Sequence, residues 1–196
     1  LPKKILDATR YAAYTTRAMA HPRPALDRVD RDLLGLLMDD CKQSLAALGE
    51  KVQLSPPSVL ERVRKLEEAG VVRGYHAEVS PKAVGLDIGS FIGVGIDHPR
   101  SIPQFEKHIE AMPEVLECHH VTGRHTLMLK VRTADTDSLH TLISRLRELP
   151  GVARTETMVV LATQIERSRL ALPEPDGSIP RRRARAPRPI ESGAPE

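Results

Sequence analysis

The feature that most constrains this chain is a double change of apolar rhythm. Between Leu26 and Leu66 the apolar residues recur at steps of three and four. From Ile88 to Leu161 they gather into short runs separated by two further stretches of three-and-four spacing. Steps of three and four lay one stripe along a helix, whereas short, loosely alternating runs suit strands. The chain therefore reads as a helical unit followed by an α+β unit, and its 196 residues suffice for two small cores.

In the helical unit, Leu26, Val29, Leu33, Leu34, Leu36, Leu37 and Met38 predict an amphipathic helix over 26–40, with Asp27 as N-cap or first-turn acid. A second helix is expected from Ser44 to about Lys51, capped by Ser44, with Leu45, Leu48 and Val52 on one face. The third begins after Leu54. Ser55 is its cap, and Pro56 sits at the first helical position, where a missing N–H costs nothing. Val59, Val63 and Leu66 form its buried stripe, Gly70 ends it, and Val71 to Val79 reads as a strand. Two short helices separated by Val52-Gln53-Leu54 fit a helix-turn-helix motif over 45–64. In that plan Ser55, Pro57, Ser58, Arg62 and Lys65 are the candidate DNA contacts. Short hydroxyls near a helix N-terminus reach phosphates or base edges, and Arg62 can take a guanine bidentately. An ordinary three-helix bundle with solvated charges fits the same spacing, and the acidic balance of residues 25–80, net −2, favours it slightly.

The second unit reads as a strand over Ile88–Ile96, a helix marked by Ile102, Phe105, Ile109 and Met112, strands over Val115–Val121 and His125–Arg132 around a turn at Gly123, a helix marked by Leu139, Leu142, Ile143, Leu146 and Leu149, and a last strand over Val152–Leu161 after Pro150-Gly151. The order βαββαβ is the ferredoxin-like unit. Its two helices cover one sheet face, so the other face predicts a dimer. Cys118, His119, His120 and His125 lie close in sequence, as zinc ligands do. Alternation along a strand puts Cys118 and His120 on one side and His119 on the other, so no metal site and no cofactor is expected. No Ser/His/Asp order or phosphate loop appears, and Gly93-x-Gly95 lacks the third glycine of a dinucleotide site.

Composition narrows the partners. Two Phe, three Tyr and no Trp argue against a single-strand binder that stacks bases on aromatic platforms. A net charge of +3 does not by itself indicate nucleic acid, and it sits at the ends: residues 1–24 carry +4 and residues 171–196 carry +1. Residues 1–24 are expected to be a flexible basic extension, with Met19 a candidate natural start. Residues 171–196, rich in Pro and Arg, are expected to be disordered. Within them Arg181, Arg182, Arg183, Arg185 and Arg188 read either as a solvated tail or as a non-specific phosphate contact. Cys41 and Cys118 lie 77 positions apart with no disulfide framework, no signal peptide is recognisable, and no apolar run approaches a membrane span, so a cytoplasmic protein without a membrane partner is expected.

The residues together resemble a family. Leu26-Asp27-x-x-Asp30, Leu54-Ser55-Pro56, Val59, Arg62-Val63, Leu66-Glu67, Gly70-Val71 and Gly74-Tyr75-x-Ala77 are similar to the first domain of the leucine-responsive/asparagine (Lrp/AsnC) transcription regulators. Pro113-x-Val115-x-Glu117-Cys118, Val121-Thr122-Gly123 and Pro150-Gly151-Val152 are similar to the second. The resemblance spans roughly residues 26–165. It implies a winged or strand-linked helix-turn-helix domain within 25–80 and a ferredoxin-like (RAM/ACT-like) effector-sensing and assembly domain within 86–165. It also implies binding to double-stranded DNA, a small-molecule effector such as an amino acid, and homodimers that associate to tetramers or octamers. The effector loop maps to Gly123, Arg124, His125 and Thr126. Three departures stand out. Lys42-Gln43-Ser44 replaces Arg-x-Ser, Ala47 stands where an acid precedes the next Leu, and His125-Thr126 replaces an aromatic residue followed by Asp. With that Asp gone, Arg124 and His125 are expected to favour an anionic effector or leave the loop empty. The alternative function is an enzyme on the same architecture, such as a siroheme decarboxylase subunit, because fold alone does not exclude catalysis.

Overall fold

The computed structural model describes residues 24–173, so the expectations for residues 1–23 and 174–196 lie outside it. The chain divides into two units. One comprises the residues up to His76 together with the segment from Arg167, and the other is Ala77–Glu166.

The first unit holds α1 (Arg28–Asp39), α2 (Leu45–Val52) and α3 (Pro56–Glu68). Each start is fixed by the residue expected to cap it. Asp27 accepts from the Asp30 N–H at 2.8 Å while the Asp30 carboxylate accepts from the Asp27 N–H at 3.1 Å, a reciprocal box that satisfies two N–H groups otherwise left without partners. Ser44 Oγ takes the Ala47 N–H at 3.1 Å, and Ser55 Oγ takes the Ser58 N–H at 3.4 Å. The three helices close on Leu33, Leu48, Val59 and Val63. α3 ends in a Schellman turn, with the Val71 N–H donating to the Leu66 carbonyl at 2.9 Å and Gly70 at φ 69°. The turn between α2 and α3 is carried by Gln53, at φ 57° and ψ 43°.

Residues 71–79 differ from the expected strand: they form no ladder among the described residues. Alternation specifies an extended backbone, but a strand exists only where a neighbour takes its N–H and C=O groups.

The second unit matches the βαββαβ order: β1 (Ile88–Ile96), α4 (Ile102–Glu110), β2 (Val115–His120), β3 (Leu127–Thr133), α5 (Thr136–Arg147) and β4 (Val152–Val159). The sheet is antiparallel, in the order β2-β3-β1-β4. Ile92, Val94, Leu127, Leu129 and Val131 from the sheet pack with Phe105, Ile109, Leu139, Leu142 and Leu146 from the helices. The two helices cover that face alone. On the other face Phe91 sits opposite Met158 in the β1–β4 register, and both stay about 40% exposed. Gly93, the residue at position i+2 from Phe91 on the same face, lies under the His125 ring: a Cβ there would come within 2.6 Å of His125 Cδ2.

Candidate nucleic-acid interface and effector loop

α3 buries only Val59, Val63 and Leu66. One turn in 3.6 residues therefore leaves a wide exposed arc, holding Pro57, Ser58, Leu60, Glu61, Arg64 and Lys65. Ser55 and Ser58 share a hydroxyl–hydroxyl hydrogen bond of 2.9 Å at the start of the helix. Lys65 Nζ lies 2.8 Å from Glu61, an exposed i,i+4 pair of small energetic weight that a phosphate can displace. Leu60, 53% exposed, and Arg64 were not among the sequence candidates. The signal that would have found them is the narrowness of the buried stripe.

Arg62 sits differently from the other candidates. Its Nη1 donates to Asp27 at 2.7 Å and to Asp30 at 2.8 Å, across 35 and 32 residues. The carboxylates that cap α1 therefore also hold α3. The effect shows in both partners. The Asp30 backbone N–H and then Arg62 hold the Asp27 carboxyl below its usual range, and the two aspartates push the Arg62 guanidinium up.

The sequence-predicted effector residues lie between β2 and β3. Gly123, at φ 112°, makes the turn, a conformation costly for any residue with a Cβ. Thr126 is built into the sheet: its N–H donates to the Val94 carbonyl at 2.9 Å, and its hydroxyl accepts the Ile96 N–H at 3.2 Å. His125 is nine-tenths buried against Gly93. Its Nε2 lies 3.1 Å from Glu156 Oε2, and its Nδ1 is buried with no hydrogen-bond partner among the described residues. Arg124 Nη2 reaches the same Glu156 oxygen at 2.7 Å, and Arg154 donates to the Arg124 carbonyl. The two side chains expected to attract an anion thus already face a carboxylate from β4. Glu156 was not among the candidates, because only the β1–β4 register, with Gly93 opposite Glu156, brings it to the loop.

The histidines and the cysteine near this loop go to separate partners. His119 pairs with Glu117 at 2.8 Å and His120 with Glu106 at 2.7 Å. Cys118 packs against the core, and burial pushes its thiol up to about 11. Among the described residues no group of three or more His, Cys, Asp or Glu is placed to hold a metal ion. No helix among them is long and apolar enough to cross a membrane.

Both units match family models. Residues 26–67 match the AsnC-type helix-turn-helix domain, and residues 90–170 match the Lrp/AsnC ligand binding domain. The regulatory protein AsnC of Escherichia coli is 33% identical over 144 residues, 73% of this chain and 95% of that protein. The chain belongs to the Lrp/AsnC family of transcription regulators. The leucine-responsive regulatory protein of Klebsiella pneumoniae is 34% identical over 154 residues, 77% of this chain and 94% of that protein. Among solved structures, a Neisseria meningitidis transcriptional regulator in complex with L-Met superposes with a TM-score of 0.71 at 31% identity, covering 74% of this chain and 96% of that one. The feast or famine regulatory protein of Mycobacterium tuberculosis, complexed with L-methionine, gives 0.70 at 34% identity, covering 74% and 99%. For this Lrp/AsnC chain the order of elements is thus the family's. Its His125 and Thr126 stand where the family resemblance leads one to expect an aromatic residue and an aspartate, and His125, like Arg124 before it, faces Glu156.

Proposed function

We propose that this Lrp/AsnC regulator reads a palindromic duplex with α3 and answers a small effector at the loop 123–126. The observation that carries the DNA reading is the face of α3. Ser55 at its cap and Pro57, Ser58 and Lys65 on its outer arc are exposed among the described residues, on a helix whose opposite stripe locks it into the trihelical core. Arg62 contributes from the edge of that face. Its Nη1 is taken by two aspartates, so it both fixes the tilt of α3 and offers Nε and Nη2 to DNA.

At the effector loop, Gly123 shapes the backbone while Arg124, His125 and Thr126 hold β1 and β4 together. Glu156 supplies the carboxylate that Thr126 does not, which suits an effector carrying an ammonium group, such as an amino acid. The relatives crystallised with L-Met and L-methionine support this reading. The half-exposed Phe91–Met158 face supports homodimers, and a two-fold reader predicts two half-sites about one helical turn apart. We place the protein in the cytoplasm with its DNA.

Footprinting on the DNA upstream of its own gene tests the DNA reading. A symmetric protected site at roughly physiological salt of about 0.15 M, lost in K65E and S58E, is the expected result. Absence of any protected site refutes it. Calorimetry against amino acids and their keto acids tests the effector reading. Amino-acid binding weakened in E156Q is expected, and tighter binding of a keto acid than of its amino acid overturns the assignment of Glu156.

A further inference from the structure

After β4 the chain returns to the first unit and crosses α1. Arg169 pairs with Asp39 in the last turn of α1, and its Nη2 lies 3.6 Å from where a Cβ on Gly35 would stand. Four residues further on, the Pro173 carbonyl accepts from Arg31 Nε at 3.2 Å, in the first turn. Asp39 to Arg31 is a drop of about 12 Å along a helix, and four extended residues span about 13 Å. The segment is therefore an extended strap running antiparallel to α1. Between the strap, α1 and the last turn of α2 lies a cleft of about 960 Å³, the size of a small-molecule site. All of its walls belong to the first unit. Leu36, Met38, Val52, Leu170 and Leu172 make it aliphatic along its length. Leu170 is 71% exposed, so this apolar surface gains from being covered. Arg28, Arg31, Lys51, Arg167 and Arg169 also line it, against only Asp32 and Asp39, an excess of three positive charges.

These cations are not equivalent. Arg28 faces Asp32 at 4.0 Å, and Arg169 pairs with Asp39. Arg31 spends its Nε on Pro173 and its Nη1 on the Leu26 carbonyl. Lys51 and Arg167 have no carboxylate partner among the described residues. Both stand at the Asp39 end of the cleft. Lys51 donates to the Gln43 amide oxygen, and the Gln43 Nε2 donates to the Leu36 and Asp40 carbonyls at the end of α1. Arg167 is two residues before Arg169, within about 7 Å along the strap. The cleft is thus polarised, with uncompensated positive charge at one end and aliphatic walls running away from it. No aromatic side chain lines it, so a nucleobase would find no ring to stack on. We propose that this cleft binds an amphipathic anion, an aliphatic chain ended by a phosphate or carboxylate. Lys51 and Arg167 hold the head by charge-assisted hydrogen bonds, and the chain lies along Leu36, Met38, Val52, Leu170 and Leu172. The site is separate from the loop 123–126, and it depends on neither the DNA reading nor the effector reading.

The test is calorimetric titration of the full chain with dodecyl phosphate and with dodecanoate, each kept below its micelle concentration. Inorganic phosphate supplies the head alone, and a neutral dodecyl glycoside supplies the chain alone. One saturable site per chain is expected for at least one of the two anions, and their ratio tells a phosphate head from a carboxylate. Phosphate and the glycoside should each bind at least about tenfold more weakly, since each forfeits either the charged contacts or the apolar burial. The full-length variants K51E, R167E and L170D change exposed side chains, so their unliganded melting temperatures should match the wild type. Each should weaken the anion by about tenfold or more. Absence of saturable binding by both anions overturns the proposal. So does a glycoside that binds as tightly as the anions, because charge then plays no part. Full binding retained in K51E and R167E, or in L170D, places the amphiphile on another surface and overturns it as well. If neither anion binds while K51E and R167E flatten the salt dependence of duplex binding, the two cations serve DNA phosphates and the proposal falls.

Discussion

Gln53 holds the turn of the helix-turn-helix in a conformation that L-residues avoid, at φ 57°. Replacing it by glycine should therefore stabilise the unit, against the usual cost of a glycine. The left-handed region costs a residue with a Cβ about 1–2 kcal/mol. Glycine removes that cost but gives up about 0.5–1 kcal/mol through its freer unfolded state. The Gln53 side chain is exposed, so little contact is lost. The balance is a stabilisation of about 0.5–1 kcal/mol. In the whole chain this is read by amide hydrogen exchange over α2 and α3, where about 1.4 kcal/mol is a factor of ten, so protection should rise roughly two- to fivefold. Q53V, which places a β-branched side chain in the same region, should lower protection. Reduced protection in Q53G would falsify the account of the turn as strained, because no other change in that variant favours the folded state.

The other expectations concern single contacts. R62M removes the tie between α3 and the α1 cap and should destabilise the first unit by about 1–2 kcal/mol in chemical denaturation, since two charge-assisted hydrogen bonds at a partly exposed site are lost; a neutral result would mean the pairs carry no weight. Asp27 has a lowered pKa in the folded state, so its stabilisation is complete above the unfolded value of about 3.9 and disappears as pH falls through the lower folded value. D27N keeps the cap but not the charge, so the stability lost between pH 6 and 3 should shrink in that variant, and an unchanged loss would contradict the pairing. G93A sets a Cβ 2.6 Å from the His125 ring and should cost the second unit about 1–3 kcal/mol, with the transition midpoint as readout. A thiol reagent at pH 8 should label Cys41, which is exposed, and spare Cys118, whose thiol is pushed to about 11; two fast equivalents per chain would refute this.

What could be read from the sequence was local. Asp27, Ser44 and Ser55 announce their helices because a cap and the N–H it serves lie within three residues. The βαββαβ order is equally legible, since each core stripe belongs to one element. What escaped depends on chain segments meeting from far apart. The aspartates that hold Arg62 are more than thirty positions away, and Glu156 reaches Arg124 and His125 only through strand register. Residues 71–79 show the opposite error: their pattern is that of a strand, but pairing is a property of a neighbour. The strap over α1 was invisible for the same reason, because nothing within 167–173 names Asp39 or Arg31 as its partner.

The glycines of β1 are moulds of their neighbours' side chains. Arg132 lies over Gly89, His125 over Gly93 and Arg154 over Gly95, each so close that a Cβ would fall within 3 Å. Two strands and the turn before one of them have thus laid long side chains flat where a central strand offers no relief of its own. Substitution on this surface is coupled in pairs: β1 can gain a side chain only if the matching neighbour shortens. The surface can therefore be re-cut for a different effector or partner by compensated double changes, such as an alanine at Gly93 together with a small residue at His125, while each single change alone is a defect.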